Sequence, residues 1–528
     1  MSSRKLRASY GCRFAVATVG VIFGGGTIAV AALPILPTAI FASSGSSAAS
    51  TVPGTASSRF TSFSRATFSA DGTQWIFSAA TDIPLTQING QSVSVIVRGS
   101  GFTSAGSQVV HRRGADASQF GASVFYNLIS DPVTINDSGQ WAATFSLGYS
   151  GTGASPIVTA SNATNNFATP NSTVLVRSNG GSLDSIARRG DQPIGGTSGQ
   201  VYGGMDGQQI RNNGDVRFRG TTVSPNVGSA PSPVGQSYIT ASAPGIGTVL
   251  LTTGATPAGQ LATPAQVTTA LTGTGSFFTD ASGANTVYRA TLAGNAATNS
   301  VIVFNDTVVA QLGVPLPGVS EITANVLTLD GLLSLSSNNG NYSIRGSVSD
   351  GLAGIANADT RTDFVLRNGA VVAKTGDALF TGSLESWDDS RTGKTSTFFA
   401  NNVNSLGQML VGGYTNGSIN SDEVLLFDGA VVMREGDGVD LNGDGLLNDN
   451  AFIDRFFTDF TSLTDAGVLY TSLALRSTPI EGSSSVGTAW VVRNVAPVVV
   501  VPEAGTLSLY ATGILTVAGL VWRRRGRQ

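Results

Sequence analysis

Six glycines recur along this chain at nearly constant distance: Gly114, Gly190, Gly254, Gly313, Gly376 and Gly436, separated by 76, 64, 59, 63 and 60 residues. Such a period commits a chain to repeating one supersecondary unit, because each copy buries its apolar face only against its neighbours. Three copies carry an acid next to the glycine, in Arg189-Gly190-Asp191, Thr375-Gly376-Asp377 and Glu435-Gly436-Asp437. This reads as a return strand ending in a turn capped by a carboxylate. Apolar β-type runs lie upstream, among them Val93 to Val97, Thr173 to Val176, Ser300 to Phe304, Phe364 to Leu366, Val424 to Phe427 and Ala489 to Val492. The pairs Asn179-Gly180, Asn305-Asp306, Asn368-Gly369 and Asp428-Gly429 follow several of them and predict two-residue hairpins.

A third element follows each glycine by 18–31 residues: a polar turn containing Gly that leads into another strand. Asn136-Asp137-Ser138-Gly139 precedes Trp141, and Asn404-Ser405-Leu406-Gly407 precedes Met409; looser copies centre on Gly72, Gly214, Gly283, Gly331 and Gly467. Each repeat therefore holds about four short strands, the content of one propeller blade. At the ends, Phe60 to Ala80 supplies one half of a unit and Thr488 to Asn494 the other. Joined, they complete a seventh unit and remove the open sheet edges. The predicted fold class is all-β and β-propeller-like, with about seven repeats over residues 60–495; a β-sandwich array and a β-solenoid remain alternatives. Apolar residues alternate and Gly or Asn breaks each run, so no long amphipathic helix is expected.

Composition narrows the function classes. Gly is 66 of 528 residues, which suits tight turns, while a hydrophobic fraction of 41% is enough to build a core. Charged residues are 12% and the net charge is -3, so nucleic acid is not an expected partner. The chain has one cysteine, Cys12, and one histidine, His111, which leaves little room for His/Cys metal sites or Cys-His catalysis.

The two ends carry their own signals. Arg4, Lys5, Arg7 and Arg13 precede an apolar stretch from Phe14 to about Ala32, with the small residues Ala29-Val30-Ala31 near its end. Basic, apolar and small-residue regions in that order are the parts of a secretory signal. Its end is read at residue 42, with a linker over 43–59, although Ala29-Val30-Ala31 offers an earlier cleavage point. At the far end, residues 496–528 hold Val501-Pro502-Glu503-Ala504-Gly505, an apolar run over 506–522, and Arg523, Arg524, Arg525 and Arg527. That run is just long enough to cross a hydrocarbon core of ~30 Å as a transmembrane helix, with the arginines cytoplasmic.

This tail resembles the PEP-CTERM sorting signal, with Val501, Pro502 and Glu503 matching the motif and Ala504 standing where the second proline belongs. The resemblance implies export, transient anchoring in the cytoplasmic membrane, and processing by an exosortase-like membrane protease outside the cell; a plain membrane anchor is the other reading. The polar Gly turns resemble the tandem repeats named for an N-x-x-G-x-x-A-F motif: Asn136, Gly139 and Ala142 match one copy, Asn404 and Gly407 another. That family transfers no activity. Together the resemblances imply an exported, non-enzymatic cell-surface or extracellular-matrix protein, with extracellular polysaccharide as a partner.

Three groups of residues bear on chemistry. Asp440-Leu441-Asn442-Gly443-Asp444-Gly445-Leu446-Leu447-Asn448 matches the start of an EF-hand-type loop. Asp440, Asn442, Asp444, the Leu446 carbonyl and Asn448 are the expected Ca2+ ligands; Ala451 stands where the bidentate acid belongs, so Asp449 or Asp454 must be borrowed. Trp387-Asp388-Asp389 offers adjacent carboxylates for glycoside cleavage, with a solvated turn as the simpler reading. His111, beside Arg112 and Arg113, reads as a packed or exposed residue before it reads as a base. No catalytic residue is assigned. The alternative function is a propeller-fold carbohydrate hydrolase or lyase, or a glycan-binding module, and the enzyme needs acids converging at the ring centre.

Overall fold

Each repeat folds into one antiparallel sheet in the computed structural model of the protein, which describes residues 36–43, 50–86, 91–151, 172–224, 232–261, 267–271, 277–320, 322–329, 333–349, 361–388 and 396–495. Seven sheets of four or five strands result, and the fold is an all-β seven-bladed propeller. The second blade shows the plan: Val124–Ile135 is innermost, then Trp141–Tyr149, Thr173–Asn179 and Ser182–Arg188 outward. The middle strands are buried on both faces and read as near-continuous apolar runs, as in Val424 to Phe427 within Glu423–Phe427 of the sixth blade. Between blades, apolar side chains from facing sheets interlock. Ile76 and Ile96 of the first blade pack with Tyr126, Phe145 and Val176 of the second.

The repeating glycine sits where one blade hands over to the next. The amides of Gly114, Gly190, Gly313, Gly376 and Gly436 donate to the carbonyls of Tyr126, Tyr202, Val326, Trp387 and Ile453, at the start of the following blade. Gly436 has φ +84°, a left-handed conformation that a side chain disfavours. The neighbouring acids cap this corner as expected: Asp191 accepts from the Arg188 amide at 3.1 Å and Asp437 from the Arg434 amide at 2.8 Å. The hairpins at Asn305-Asp306, Asn368-Gly369 and Asp428-Gly429 have both central residues at positive φ, the two-residue turn predicted. At Asn179-Gly180 the turn is shifted by one, with Gly180 and Gly181 at its centre.

Ring closure differs from the expectation. Phe60–Phe63 does not complete the last sheet; with Gln74–Pro84, Ser92–Ser100 and Gln108–Arg112 it builds a first blade of its own. The seventh blade consists of Phe452–Leu463, Val468–Arg476 and Ser485–Asn494, and its fourth, outermost strand is Thr38–Ser43. Phe41 lies opposite Trp490, and Ala42 opposite Ala489. The boundary read at residue 42 thus falls inside a strand, and Ser50 to Arg59, read as linker, forms an ordered corner in which Thr51 bridges to Arg59. The physical reason is a shared pattern: Ile40-Phe41-Ala42 is apolar like the run before it, and only its partner across the sheet marks it as a strand. Residues 1–35 and 496–528, including the 506–522 run and Val501-Pro502-Glu503, lie outside the described residues. Among the described residues no helix is long and apolar enough to cross a membrane.

Phe41 is 1% exposed and packs edge-on against Phe60, Trp75 and Phe77, at centroid distances of 5.2, 5.8 and 5.4 Å. Its ring therefore joins the last blade to the first. Phe41→Ala is expected to destabilise the propeller by about 3–5 kcal/mol, read as a lower denaturant midpoint. A loss below about 1 kcal/mol would show that this strand does not close the ring.

Candidate functional site

The innermost strands of all seven blades enclose a central cavity of about 440 Å³. Thr67, Thr134, Gln208, Thr279, Ser334, Asn402 and Ser462 are contributed by successive blades. These polar side chains have a structural cause. Inner strands of neighbouring blades do not pair with each other, so their backbone groups need side-chain partners. Gln208 donates to the Pro132 carbonyl at 2.6 Å, Gln209 to the Phe277 carbonyl at 2.7 Å, and Asn402 to Thr461 Oγ1 at 2.9 Å. The Val403 amide donates to Ser334 Oγ at 3.2 Å.

At one end of the cavity the seven polar turns form a ring. The asparagine of the N-x-x-G turn has two tasks. Asn136 Oδ1 accepts the Gln140 amide at 2.9 Å and so closes its own turn, while Nδ2 donates to the Arg211 carbonyl of the next blade at 2.8 Å. Asn404 repeats both contacts with Gln408 and Thr464. Where asparagine is absent, Ser69 and Thr464 hydroxyls close the turn instead, at 2.9 and 3.1 Å. In the fifth blade the counterpart is Ser336 to Asn341 with Gly340; Gly331, expected there, lies outside the described residues. Arginines from outer strands brace these turns: Arg98 donates to the Gly139 carbonyl at 2.8 Å, Arg177 to Gly214 at 2.7 Å, and Arg367 to Gly407. The sequence carries this signal as an arginine ending the third-strand run, as in Val95-Ile96-Val97-Arg98 and Leu175-Val176-Arg177.

Acids facing the cavity are each engaged. Asp206 Oδ1 accepts from Arg219 Nε at 2.7 Å, and a second contact makes the pair bidentate. Burial opposes ionisation of Asp280, yet hydrogen bonds from Asn285, Ser282 and the Gly283 amide hold its carboxyl below the ordinary range. Asp465 accepts from Ser337 Oγ at 2.6 Å and from the Ser405 amide at 2.7 Å. The converging acids that sequence reasoning missed lie elsewhere, in the seam between the sixth and seventh blades. There Arg476, fully buried, donates to Glu435 Oε1 at 2.8 Å. Burial and then the neighbouring Asp422 push the Glu435 carboxyl up to about 8. Asp422, Glu423 and Glu435 are all buried, so this cluster offers no surface to a substrate.

The remaining candidates separate. Trp387 is 2% exposed and packs on Phe398 at 5.1 Å, which makes it core; Asp389 lies outside the described residues. The Asp440 loop is ordered by its own oxygens. Asp440 accepts the amides of Gly443 and Gly445 at 2.7 and 2.9 Å, and Asp444 accepts that of Leu446 at 2.8 Å. Asp449 reaches the Leu441 amide at 2.7 Å and Asn442 Nδ2 at 3.1 Å, so it is the acid brought to the loop. Asp454 instead stands 3.6 Å from Arg476. Among the described residues no three His, Cys, Asp or Glu side chains form a metal-ligating group, so a cation here depends on the amide and carbonyl oxygens beside Asp440, Asp444 and Asp449.

No family model and no curated protein matches this chain. Solved structures align with it only at low identity and low TM-score. Prolyl oligopeptidase B from Galerina marginata aligns with TM-score 0.34 and 8% identity over 80% of this chain and 47% of that one. The chain thus spans about half the length of that peptidase. A protein of unknown function from Dyadobacter fermentans gives 0.32 and 9%, over 87% and 98% of the two chains. An oligogalacturonate lyase in complex with manganese gives 0.31 and 12%, over 72% and 93%.

His111 is part of the core. Its ring meets Tyr126 and Phe145 at 4.8 and 4.7 Å, and burial lowers its pKa from 6.5 to about 4. The folded state therefore favours neutral imidazole, while the unfolded chain takes up a proton as pH falls below 6.5. Stability present above pH 6.5 is lost on the way down to about pH 4, by roughly 3 kcal/mol. In urea melts, the difference between wild type and His111→Phe should show this slope; a difference independent of pH would refute it.

Proposed function

We propose that the protein is an exported, non-enzymatic surface or extracellular-matrix module, sorted by a PEP-CTERM/exosortase-type system and associated with extracellular polysaccharide. The observation that carries the binding reading is the cavity wall: a ring of Ser, Thr, Asn and Gln side chains in which Asp206, Asp280 and Asp465 are each held by fixed partners. A hydrolase or lyase needs acids free to exchange protons with a bound sugar, whereas fixed hydrogen-bonding groups suit recognition. Export is supported by the basic and apolar start of the chain and by the Val501-Pro502-Glu503 tail with its arginine end. The closing strand adds a constraint. A signal peptidase cutting after Ala42 would remove most of Thr38–Ser43 from the seventh blade, which favours the earlier cut near Ala29-Val30-Ala31 in this reading.

Mass spectrometry of the termini tests this reading. The expected extracellular species starts upstream of Thr38 and lacks the residues after the Val501-Pro502-Glu503 motif. A cytoplasmic species with Met1 and Gln528 both intact would overturn the placement.

We propose also that the Asp440 loop takes Ca2+, through Asp440, Asn442, Asp444, the Leu446 carbonyl and Asn448, with Asp449 supplying the further acid. The Asp440 amide donates to the Pro37 carbonyl at 2.9 Å and its carbonyl accepts the Ala39 amide at 2.8 Å, so the loop grips the closing strand. Chelation is therefore expected to lower the melting temperature by several degrees, reversed by millimolar calcium. An unchanged melt, with no metal in the purified protein, would remove the site.

A further inference from the structure

Register slips occur in the innermost strands of several blades, and the one in the third blade lies beside a charged pair at the central cavity. The innermost strand of the third blade, Val201–Ile210, slips its register against Val216–Ser224 between Asp206 and Gln209. Gly207, at φ +62°, sits in the slip. Bulges of this kind re-aim side chains. Here the slip accompanies an Asp206 carboxylate that lines the cavity and is clamped bidentately by Arg219. The carboxylate keeps bonding capacity beyond this contact: it has lone pairs outside the fork, and its side chain is 34% exposed.

Tyr238 stands beside this pair, within electrostatic reach of both Asp206 and Arg219. It is 2% exposed and lines the same cavity, and among the described residues its hydroxyl has no hydrogen-bond partner. Buried hydroxyls are normally bonded, so an orphan one next to a cavity calls for a visiting partner. Its ring stacks on Phe277 at 3.7 Å, which fixes its position. Phe278, half-buried on the same wall, gives an apolar face.

Charge selects the ligand class. The lining carries three arginines (Arg65, Arg211, Arg219) and three aspartates (Asp206, Asp280, Asp465), which sum to zero. No net field favours a uronate, a phosphate or a cation. A volume of about 440 Å³ lies within the range of small-molecule sites, ~300–1,000 Å³. A clamped carboxylate presenting acceptors, a donor hydroxyl and an apolar ring together match the alternating hydroxyl and C–H surface of a neutral sugar.

We propose that the cavity holds a subsite for one neutral sugar residue, bounded by Asp206, Arg219, Tyr238 and Phe278. The choice of saccharide rests on the polysaccharide reading above, whereas the position of the subsite rests on the geometry alone. The test titrates the full-length protein by calorimetry with neutral tetrasaccharides of glucose, mannose, galactose and N-acetylglucosamine, and with tetragalacturonate as the anionic counterpart. At least one neutral member should bind, and the anionic one should bind at least tenfold more weakly. Tyr238→Phe should weaken that binding about fivefold to tenfold while leaving the melting temperature equal or higher, because the hydroxyl it removes is unpartnered without ligand. Phe278→Ala should weaken it as well, and Leu384→Ala, at a residue 99% exposed, should not. Absence of binding by every neutral member, tighter binding of tetragalacturonate, or an unchanged affinity in Tyr238→Phe would each overturn the subsite. Binding by a chain that proves cytoplasmic would leave the subsite standing and remove the export reading, so the two failures are distinguishable.

Discussion

Everything in this propeller depends on one strand pairing. Seven sheets arranged around a cavity form a closed object only if the last is held to the first, and that bond is made by Thr38–Ser43 against Ser485–Asn494. The strand lies more than 440 residues from its partner in sequence, as the Ser43–Thr488 contact shows. Forming it orders the intervening chain, so closure carries a high entropic cost and needs compensating contacts. Phe41 supplies them. It stacks toward Trp490 on its own blade and reaches Phe60, Trp75 and Phe77 on the first. The aromatic cluster at this seam links both chain ends of the ring within one core.

Around the cavity the constraint is of another kind. Inner strands of adjacent blades run too far apart to share a ladder, so side chains carry the hydrogen bonds between them. Gln208, Gln209 and Asn402 use amides to span neighbouring inner strands, and Asn136 and Asn404 do so at the turns. The same groups that hold the blades together line the wall. A polar cavity wall is thus a by-product of how the ring is held.

The repeat was legible because its glycines do backbone work. Gly376 and Gly436 must donate to the next blade from a corner of positive φ, so their spacing reports the blade period directly. Hairpins were legible for the same reason, except at Asn179-Gly180-Gly181, where three candidate turn residues in a row leave the register undecided until the strands pair. The closing strand was hidden because Ile40-Phe41-Ala42 continues an apolar stretch that has another explanation. In the fifth blade Gly331 drew attention from Gly340, since both follow strand-like runs. Tyr238 and Arg476 could not be picked out at all. Tyrosine and arginine are unremarkable in a strand, and their significance lies in partners on other strands: Asp206 and Arg219 for one, Glu435 for the other.

The seam between the sixth and seventh blades brings these threads together. Arg476 and Glu435 meet there out of contact with water, the Phe456 amide donates to Glu423 Oε2 at 2.7 Å, and Asp440 is bonded to both sides of Thr38 through the Pro37 carbonyl and the Ala39 amide. A buried guanidinium left without its acceptors is strongly unfavourable, and Arg476 finds them in Glu435 Oε1 and in the Asn420 and Pro479 carbonyls. The arrangement therefore penalises any docking of these two blades that separates Arg476 from Glu435. Apolar packing alone tolerates small slips between sheets; a buried guanidinium that must meet its acceptors does not. Because the seventh blade also receives the closing strand, a fixed register at this seam sets the position of Ser485–Asn494, and with it the edge on which Thr38–Ser43 must land. The Asp440 loop acts on the same strand from its other side. Closure of the ring is thereby coupled to a charged contact and a polar loop that neighbour it, and not to the aromatic core alone.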